Sequence, residues 1–392
     1  MQDLVPNLTS YLRHLCTLPS RHVGSPGETA AVDYIEGQFK NIGFEQVIRE
    51  PFDTTGWKFS GMQFLDMDNG GKPVPGALPC FFSRSAKLMD QPLWLNEDNL
   101  KNLKPELVRN RICIVEYFSD AADIRGRNGI AEDLDSMGAA AAIFISDSEY
   151  HTTCAPSTKI QRSPKLKSLG TAVVAEEGAY YLANNRHHTF YLFIDADTFP
   201  HTSYNVVAVR PGTGKHRAVF GGHYDAAPLQ QAADDNASGT AALIELARIL
   251  KDELPEWTLE FVAFGAEEYC KDDRFATGSG EYVLAHPDRK WDFFLNFDSI
   301  GTYFSKDVLH IGRKEMLPDF TCKYPILPIK YGGDDRAFDY KDIPTLWFNS
   351  HPKFLDFHTP LDTLDTLEIP RIASIVEETL QVTRQLCTRI SE

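Results

Sequence analysis

Apolar residues open the chain at helical spacing. Leu4, Leu8, Tyr11, Leu12 and Leu15 fall on one face of a 3.6-residue period and predict a first helix. Ser25, Pro26 and Glu28 then supply an N-cap, a proline at the first helical position and the acidic partner of a capping box, so a second helix continues over 30–42 and stops at Gly43. From Trp57 to Phe199 the texture changes to short β-like runs broken by Gly and Pro, among them 111–118, followed by a helical stretch ending in MGAAAAIFIS. The alanine run fits a helix end and 143–145 after it a strand, which gives one strand-helix-strand unit. After Pro200, strand and helix signals alternate: strand 218–222, helix 238–251, strand 259–264, helix 279–285, strand 293–297, then strands at 309–312 and 345–348. A closing helix over 370–387 carries Ile372, Ile375, Val376, Leu380 and Leu386 as one broad apolar stripe. The pattern predicts an α/β fold with a mixed, largely parallel central sheet flanked by helices. This domain is discontinuous, 1–56 with 200–392, and a β-rich domain over 57–199 is inserted into it.

Composition narrows the partners. The 392 residues are 43% hydrophobic and 24% charged, a globular profile, and 39 Lys plus Arg against 55 Asp plus Glu leave a net charge of -16. That charge repels a phosphate backbone and an anionic leaflet alike, so neither nucleic acid nor a membrane is an expected partner. No apolar run reaches the roughly 18 residues of a membrane span, and MQDLVPNLTSYLRHLC lacks the basic start and apolar stretch of a signal peptide. Seven scattered cysteines (Cys16, Cys80, Cys113, Cys154, Cys270, Cys322, Cys387) without a C-x-x-C pair indicate neither a disulfide framework nor a cysteine zinc site. A reducing, cytoplasmic location is the expectation, the alternative being secretion with a signal peptide removed.

In open α/β sheets ligands bind beyond the carboxyl ends of the strands, which directs attention to polar residues that follow apolar runs. VFGGHYD places His223 and Asp225 at a strand end, and QAADDNASG places Asp235 ahead of a helix. FVAFGAEE ends in Glu267 and Glu268, FFLNFDSIG contains Asp298, and FLDFHTPLDT carries His358 in a loop. Singly, each has a bland reading as a hydrogen-bonded histidine or a solvated acidic turn. Converging, imidazoles and carboxylates form a donor set suited to Zn²⁺, and three carboxylates with two imidazoles exceed the needs of one tetrahedral ion. With one carboxylate shared, two ions would have three protein ligands each, the layout of two-metal hydrolases.

HYD, ADDNASG, AEE, NFDSIG and FHTPLDT, in that order, resemble peptidase family M28, the zinc aminopeptidases, over the last half of the chain. The resemblance implies two Zn²⁺ per chain held by His223, Asp235, Glu268, Asp298 and His358, with Asp235 bridging. It also implies Glu267 as the general base, Asp225 as the carboxylate orienting the His223 imidazole, and a cis peptide after Asp235. The implied activity is a metal-dependent exopeptidase, an aminopeptidase acting on the amino-terminal bond of a peptide substrate. Two departures stand out: YCKDDRFAT lengthens the loop before Gly278 and Ser279, and in GGDDRAF Arg336 stands where relatives carry histidine. The region 111–195 is similar in texture to the protease-associated domain that some relatives carry as an insertion.

Three other readings share these residues. Glutaminyl cyclases resemble the chain in HYD, the Glu pair and a late His-Thr but use one zinc, and NASG after Asp235 favours the peptidases. A non-catalytic homologue would most simply lack one of the ligands, all of which are present. A carboxypeptidase of the same family would grip a terminal carboxylate with arginine, and Arg274, Arg313 and Arg336 lie in plausible loops. Side-chain preference and oligomeric state are not written in the sequence.

Overall fold

The first helix, α1 (Val5–Thr17), buries Leu8, Tyr11, Leu12, Leu15 and Cys16, the face that its spacing predicts. In α2 (Pro26–Ile42) the Ser25 hydroxyl accepts the Glu28 amide at 3.0 Å, and Gly43 ends the helix at φ 98°, where a side chain would be strained. Glu28 departs from the capping-box expectation. Its carboxylate takes the Gly24 amide (2.7 Å), the His201 imidazole (2.8 Å) and the Ser203 hydroxyl (2.5 Å), and so pins the helix start to a strand of the main sheet. The computed structural model describes residues 4–116, 126–145, 165–269, 271, 275–303, 305–329, 332–351 and 358–392.

At the centre of the ten-stranded main sheet lie four parallel strands, in spatial order β15 (Thr345–His351), β12 (Phe293–Phe297), β10 (Arg217–His223) and β11 (Thr258–Phe264). Beyond β15, β13 (Lys306–Gly312) runs antiparallel and carries the short parallel β14 (Ile326–Pro328). Beyond β11, β9 (Phe190–Arg210) runs antiparallel and pairs with β1 (Gln46–Asp66), which carries β2 (Lys72–Pro73); β4 (Ala86–Asp90) also joins β9. The parallel strands read as unbroken apolar runs because both faces are covered. Ala218, Phe220 and Phe261 pack toward α1, α2, α7 (Gly239–Leu250) and α10 (Ile369–Ser391), while Val219, Val262 and Phe264 pack toward α8 (Thr277–Ala285) and α9 (Asp335–Asp339).

A second sheet has the spatial order β3 (Ala77–Pro79), β8 (Gly170–Val174), β7 (Ala141–Ile145), β6 (Ile112–Val115), β5 (Leu93–Leu95), parallel except for β3. Helices accompany it: α3 (Glu97–Leu100), α4 (Pro105–Val108), α5 (Gly126–Ser136) and α6 (Glu176–Asn184). The strand expected over 111–118 is β6, whose last expected residues lie outside the described ones. In the alanine run α5 has already ended, and Ala141 and Ala142 are strand. The second sheet packs on the far half of β1 and β9, a pair that is antiparallel from Gln46 opposite Val209 to Asp66 opposite Phe190, with one irregularity between Phe59 and Gly61. The residues where the sequence changes texture lie within these strands, Gly56 opposite Phe199 and Trp57 opposite Thr198. Among the described residues no helix is long and apolar enough to cross a membrane. Cys16, Cys113, Cys322 and Cys387 form no disulfide; Cys154 and Cys270 lie outside the described residues.

Candidate metal centre

Side chains at and just beyond the carboxyl ends of β10, β11 and β12 meet on one edge of the main sheet. His223 is the last residue of β10, with Asp225 two positions on; β11 leads into Glu267 and Glu268, and β12 into Asp298. Asp235 comes from the turn Ala233–Ser238, where Asp235 (φ -116°, ψ 89°) and Asn236 (φ -140°, ψ 49°) leave helical geometry and the peptide between them is cis. His358 comes from the segment before α10. Four of the five approaches, all but that of His223 and Asp225, include a non-glycine residue at positive φ: Ala232 (52°), Ala266 (54°), Ser299 (57°) and His358 itself (56°). Such backbone is costly, and it concentrates where packing forces loops to aim side chains at a common point.

Asp235 stands between two histidines. Its Oδ1 is 3.0 Å from His223 Nε2 and its Oδ2 is 2.8 Å from His358 Nε2. Asp298 Oδ1 lies 3.7 Å from the same His223 nitrogen, and Glu268 Oε1 lies 3.3 Å from the same His358 nitrogen. The five side chains thus divide into two triplets, His223–Asp235–Asp298 and Asp235–Glu268–His358, each with its donor atoms within 4.8 Å of one another. Only Asp298 is not buried. Glu267 belongs to neither triplet and lies alongside, since a Cβ placed on Gly333 would stand 3.3 Å from Glu267 Oε1 and 3.5 Å from Asp298 Oδ2.

Neighbouring groups fix these donors. Asp225 Oδ1 approaches His223 Nδ1 at 3.4 Å. Its two oxygens also accept the backbone amides of Glu267 (2.9 Å) and Glu268 (3.1 Å), so one carboxylate serves both the imidazole and the acidic loop. Asp362 accepts the amides of Asp234 (2.7 Å) and Asp235 (3.1 Å). Asn236 donates to the Phe297 carbonyl (2.9 Å) and accepts the Gly239 (2.9 Å) and Ser299 (3.2 Å) amides, locking the Asp235 turn to the end of β12. The buried Arg21 guanidinium donates to the carbonyls of Tyr224 (2.8 Å), Gln231 (2.7 Å), Ala232 (2.9 Å) and Leu15 (3.1 Å). It ties α1 to both strand-end loops.

Burial works against the Asp235 carboxylate, yet the two imidazoles hold its pKa well below the ordinary value. Burial likewise works against a charged His223, and the carboxylates of Asp225, Asp235 and Asp298 outweigh it, lifting its pKa well above the ordinary one. Burial raises Asp225, raises Asp334 well above the usual range with Glu267 adding to it, and takes Asp335 to about 7. This edge therefore holds more carboxyl groups than cationic partners. Two imidazoles with three carboxylates are borderline and hard donors that fit Zn²⁺, and a triplet of protein donors would leave room for water and substrate on an ion.

Of the residues singled out in the sequence, His223, Asp225, Asp235, Glu267, Glu268, Asp298 and His358 gather here. Arg313 is engaged by Asp339 and Asp342, each at 2.8 Å, Arg336 is exposed, and Arg274 lies outside the described residues, as do Cys270, Asp272 and Asp273 of the lengthened loop before Gly278. Arg21 carried no sequence signal, and Asp362 was visible only as a letter in FHTPLDT.

The profile of peptidase family M28 matches residues 205–383, a span that contains all of these donors. Over 111 residues the chain is 34% identical to the aminopeptidase YwaD of Bacillus subtilis, which covers 27% of this chain and 23% of that protein. The match thus spans less than a quarter of that relative's own length. Among solved structures, a zinc aminopeptidase from Bacillus subtilis superposes with a TM-score of 0.75 at 17% identity, covering 97% of this chain and 95% of that one. An aminopeptidase from Aneurinibacillus sp. strain AM-1 gives 0.69 at 20% identity over 97% and 93%. These are likenesses of fold.

Proposed function

Through residues 205–383 the chain belongs to peptidase family M28, and from that premise we propose that it is a two-zinc aminopeptidase. The observation that carries this reading is the position of Asp235, whose two oxygens each face a different histidine and so join the two triplets. His223, Asp235 and Asp298 would hold one ion, and Asp235, Glu268 and His358 the other. When bound, the ions would supply Lewis-acid polarisation of the scissile carbonyl and lower the pKa of a water. Glu267, beside the triplets and outside both, takes the proton of the attacking water on its carboxylate and returns it to the leaving amine. Asp225 keeps His223 and the Glu267–Glu268 amides in register. The engagement of Arg313 by two aspartates supports trimming from the amino end, because that fork is unavailable to a terminal carboxylate. The unit over 57–199 is proposed as a protease-associated-like module inserted into the peptidase domain 1–56 with 200–392.

The test is a peptide series with free, acetylated and amidated ends, run beside elemental analysis of the metal-loaded protein. Two zinc ions per chain, with cleavage abolished by acetylation and indifferent to amidation, is the expected result. Equal rates on blocked and free peptides, or one tight zinc with cyclisation of amino-terminal glutamine, would overturn it.

A further inference from the structure

The loop that presents Glu267 and Glu268 is not anchored by the peptidase core alone. Ala266 and Tyr269, the residues that bracket the two glutamates, are buried in the apolar core of the second unit, together with Trp57, Phe81, Phe82, Ile114 and Ile143. The contact is specific. Phe82, fully buried between β3 and β4, stacks on Phe81 at 3.9 Å with the rings 15° apart, and it meets the Tyr269 ring at 5.3 Å and 57°. Phe82 itself has φ 61°, a left-handed value that a residue with a Cβ adopts only under constraint. Two hydrogen bonds supply the constraint: the Trp57 indole donates to the Ser83 carbonyl at 3.0 Å, and the Ser83 hydroxyl accepts the Thr171 amide at 2.8 Å. The turn is thereby nailed to β1 on one side and β8 on the other.

The base of the loop is held elsewhere. Thr277, at the start of α8, donates its hydroxyl to the Tyr269 carbonyl (2.7 Å), and its amide reaches the carbonyls of Ala266 (3.1 Å) and Tyr269 (3.2 Å). Asp225 takes the two glutamate amides. These bonds fix the backbone path, and the Tyr269 ring has an aromatic partner of its own. That partner is Phe82, more than 180 residues earlier in the chain and outside residues 205–383.

We infer that Phe82 is a positioning residue for the proposed metal centre: by seating Tyr269, it sets where Glu268 meets His358 and where Glu267 stands beside the triplets. The inference rests on the proposed function for the roles of the two glutamates and on the ring contacts for the coupling. Misplacing a carboxylate by about 1 Å costs about 10²-fold in rate, and loss of an outer support costs a metal site about 10- to 100-fold in affinity. The effect should be unequal, because this loop supplies a ligand, Glu268, to the Asp235–Glu268–His358 triplet alone.

The experiment is a zinc titration of the metal-stripped full-length protein, read by chelator competition, for wild type, Phe82→Leu, Phe82→Ala and Tyr269→Phe. Ile114→Ala serves as a deletion in the same apolar core on β6, and Glu268→Gln identifies which binding step belongs to the affected triplet. Phe82→Ala should weaken that step about 10- to 100-fold and spare the other, with kcat falling and KM steady; Phe82→Leu should do the same to a smaller degree. Tyr269→Phe, which keeps the ring, should titrate as wild type. If the Phe82 variants weaken both steps alike, or differ from wild type no more than Ile114→Ala does, Phe82 is an ordinary core residue and the inference is wrong. Should Phe82→Ala fail to fold, Phe82→Leu decides. If wild type binds zinc but cleaves no peptide, the aminopeptidase reading fails while the titration still judges the coupling.

Discussion

Two regions of this molecule bury an aspartate against histidine, and they are built to opposite ends. At the far end of β1, Asp66 receives His188 Nδ1 (2.8 Å), the Tyr181 hydroxyl (2.9 Å) and the amides of Asp68 (3.1 Å) and Asn69 (3.2 Å). Burial disfavours its charge, and those donors more than compensate, so its pKa falls. Every oxygen is accounted for by protein groups. At the sheet edge Asp235 also meets imidazoles, one per oxygen, but Glu268 and Asp298 crowd the same two rings, and Glu267, Asp334 and Asp335 lie close by. The same two residue types make a closed structural knot in one place and an acid-rich ligand set in the other. What separates them is the ratio of donors to carboxylates, not burial or the presence of histidine.

Substitutions that break this contrast should have effects of graded size. Asp235→Ala should abolish activity and strip both ions, because each triplet loses its common member; a variant retaining two ions and full turnover would show that the oxygens are not shared. Glu267→Gln should keep the metals and nearly unchanged KM while kcat drops about 10²–10⁴-fold, whereas Glu268→Gln should lose metal first. Metal content and turnover measured on both variants check this, and the reverse pattern would exchange the two roles. Asp225→Ala should weaken zinc about 10- to 100-fold in a chelator competition, as expected for a group that orients a ligand from behind. Asp66→Ala should cost about 1–3 kcal/mol in denaturant unfolding by stranding its buried donors, yet leave kcat/KM of the folded protein unchanged. A fall in metal content there would erase the distinction between the two regions.

The smallest effect concerns a third histidine arrangement, one with no acid at all. His22 faces the Trp57 carbonyl (3.2 Å) and the Ser20 hydroxyl (3.1 Å), and burial pushes its pKa down to about 4 despite the carbonyl. A depressed imidazole pKa means that the unfolded chain binds the proton more readily. The contribution of His22 is therefore complete above about pH 6.5 and shrinks as pH falls toward about 4. The loss should be about 1 kcal/mol at pH 6 and deepen below it, and His22→Asn should flatten that part of the stability profile measured by thermal unfolding.

The second half of the fold was legible because parallel strands covered on both faces are written as unbroken apolar runs, and 293–297 matches β12 to the residue. His223, Glu267, Glu268 and Asp298 were legible for a related reason, as polar side chains at or just past such runs, whereas Asp235 and His358 were legible only through the motifs ADDNASG and FHTPLDT. β1 and β9 were not legible as long strands: Pro51, Gly56 and Pro200 interrupt the pattern, and pairing with each other rather than local propensity keeps them extended. Arg21 acts on Tyr224, Gln231 and Ala232 across some two hundred positions, and nothing near it in sequence foretells four carbonyl acceptors. Glu28 had the right letter for a capping box and found stronger donors on β9. Phe82 lay in a stretch with no local signal at all.

The long pairing of β1 with β9 also has a mechanical meaning. Units joined by a single loop can rock against each other, but here the second sheet packs, through Ile112, Ile114, Ile143 and Ala172, on Phe64, Phe190, Leu192 and Ile194 of a two-stranded ribbon that belongs to the main sheet, and the ribbon's one irregularity, near Phe59, affects only one of its strands. Bending the ribbon anywhere would break cross-strand bonds, and around Trp57 it would also shear a buried aromatic cluster. Relative rotation of the two units is thereby suppressed. In the proposed aminopeptidase, opening and closing around a peptide would therefore fall to the short loops at the strand ends and not to the swing of a domain.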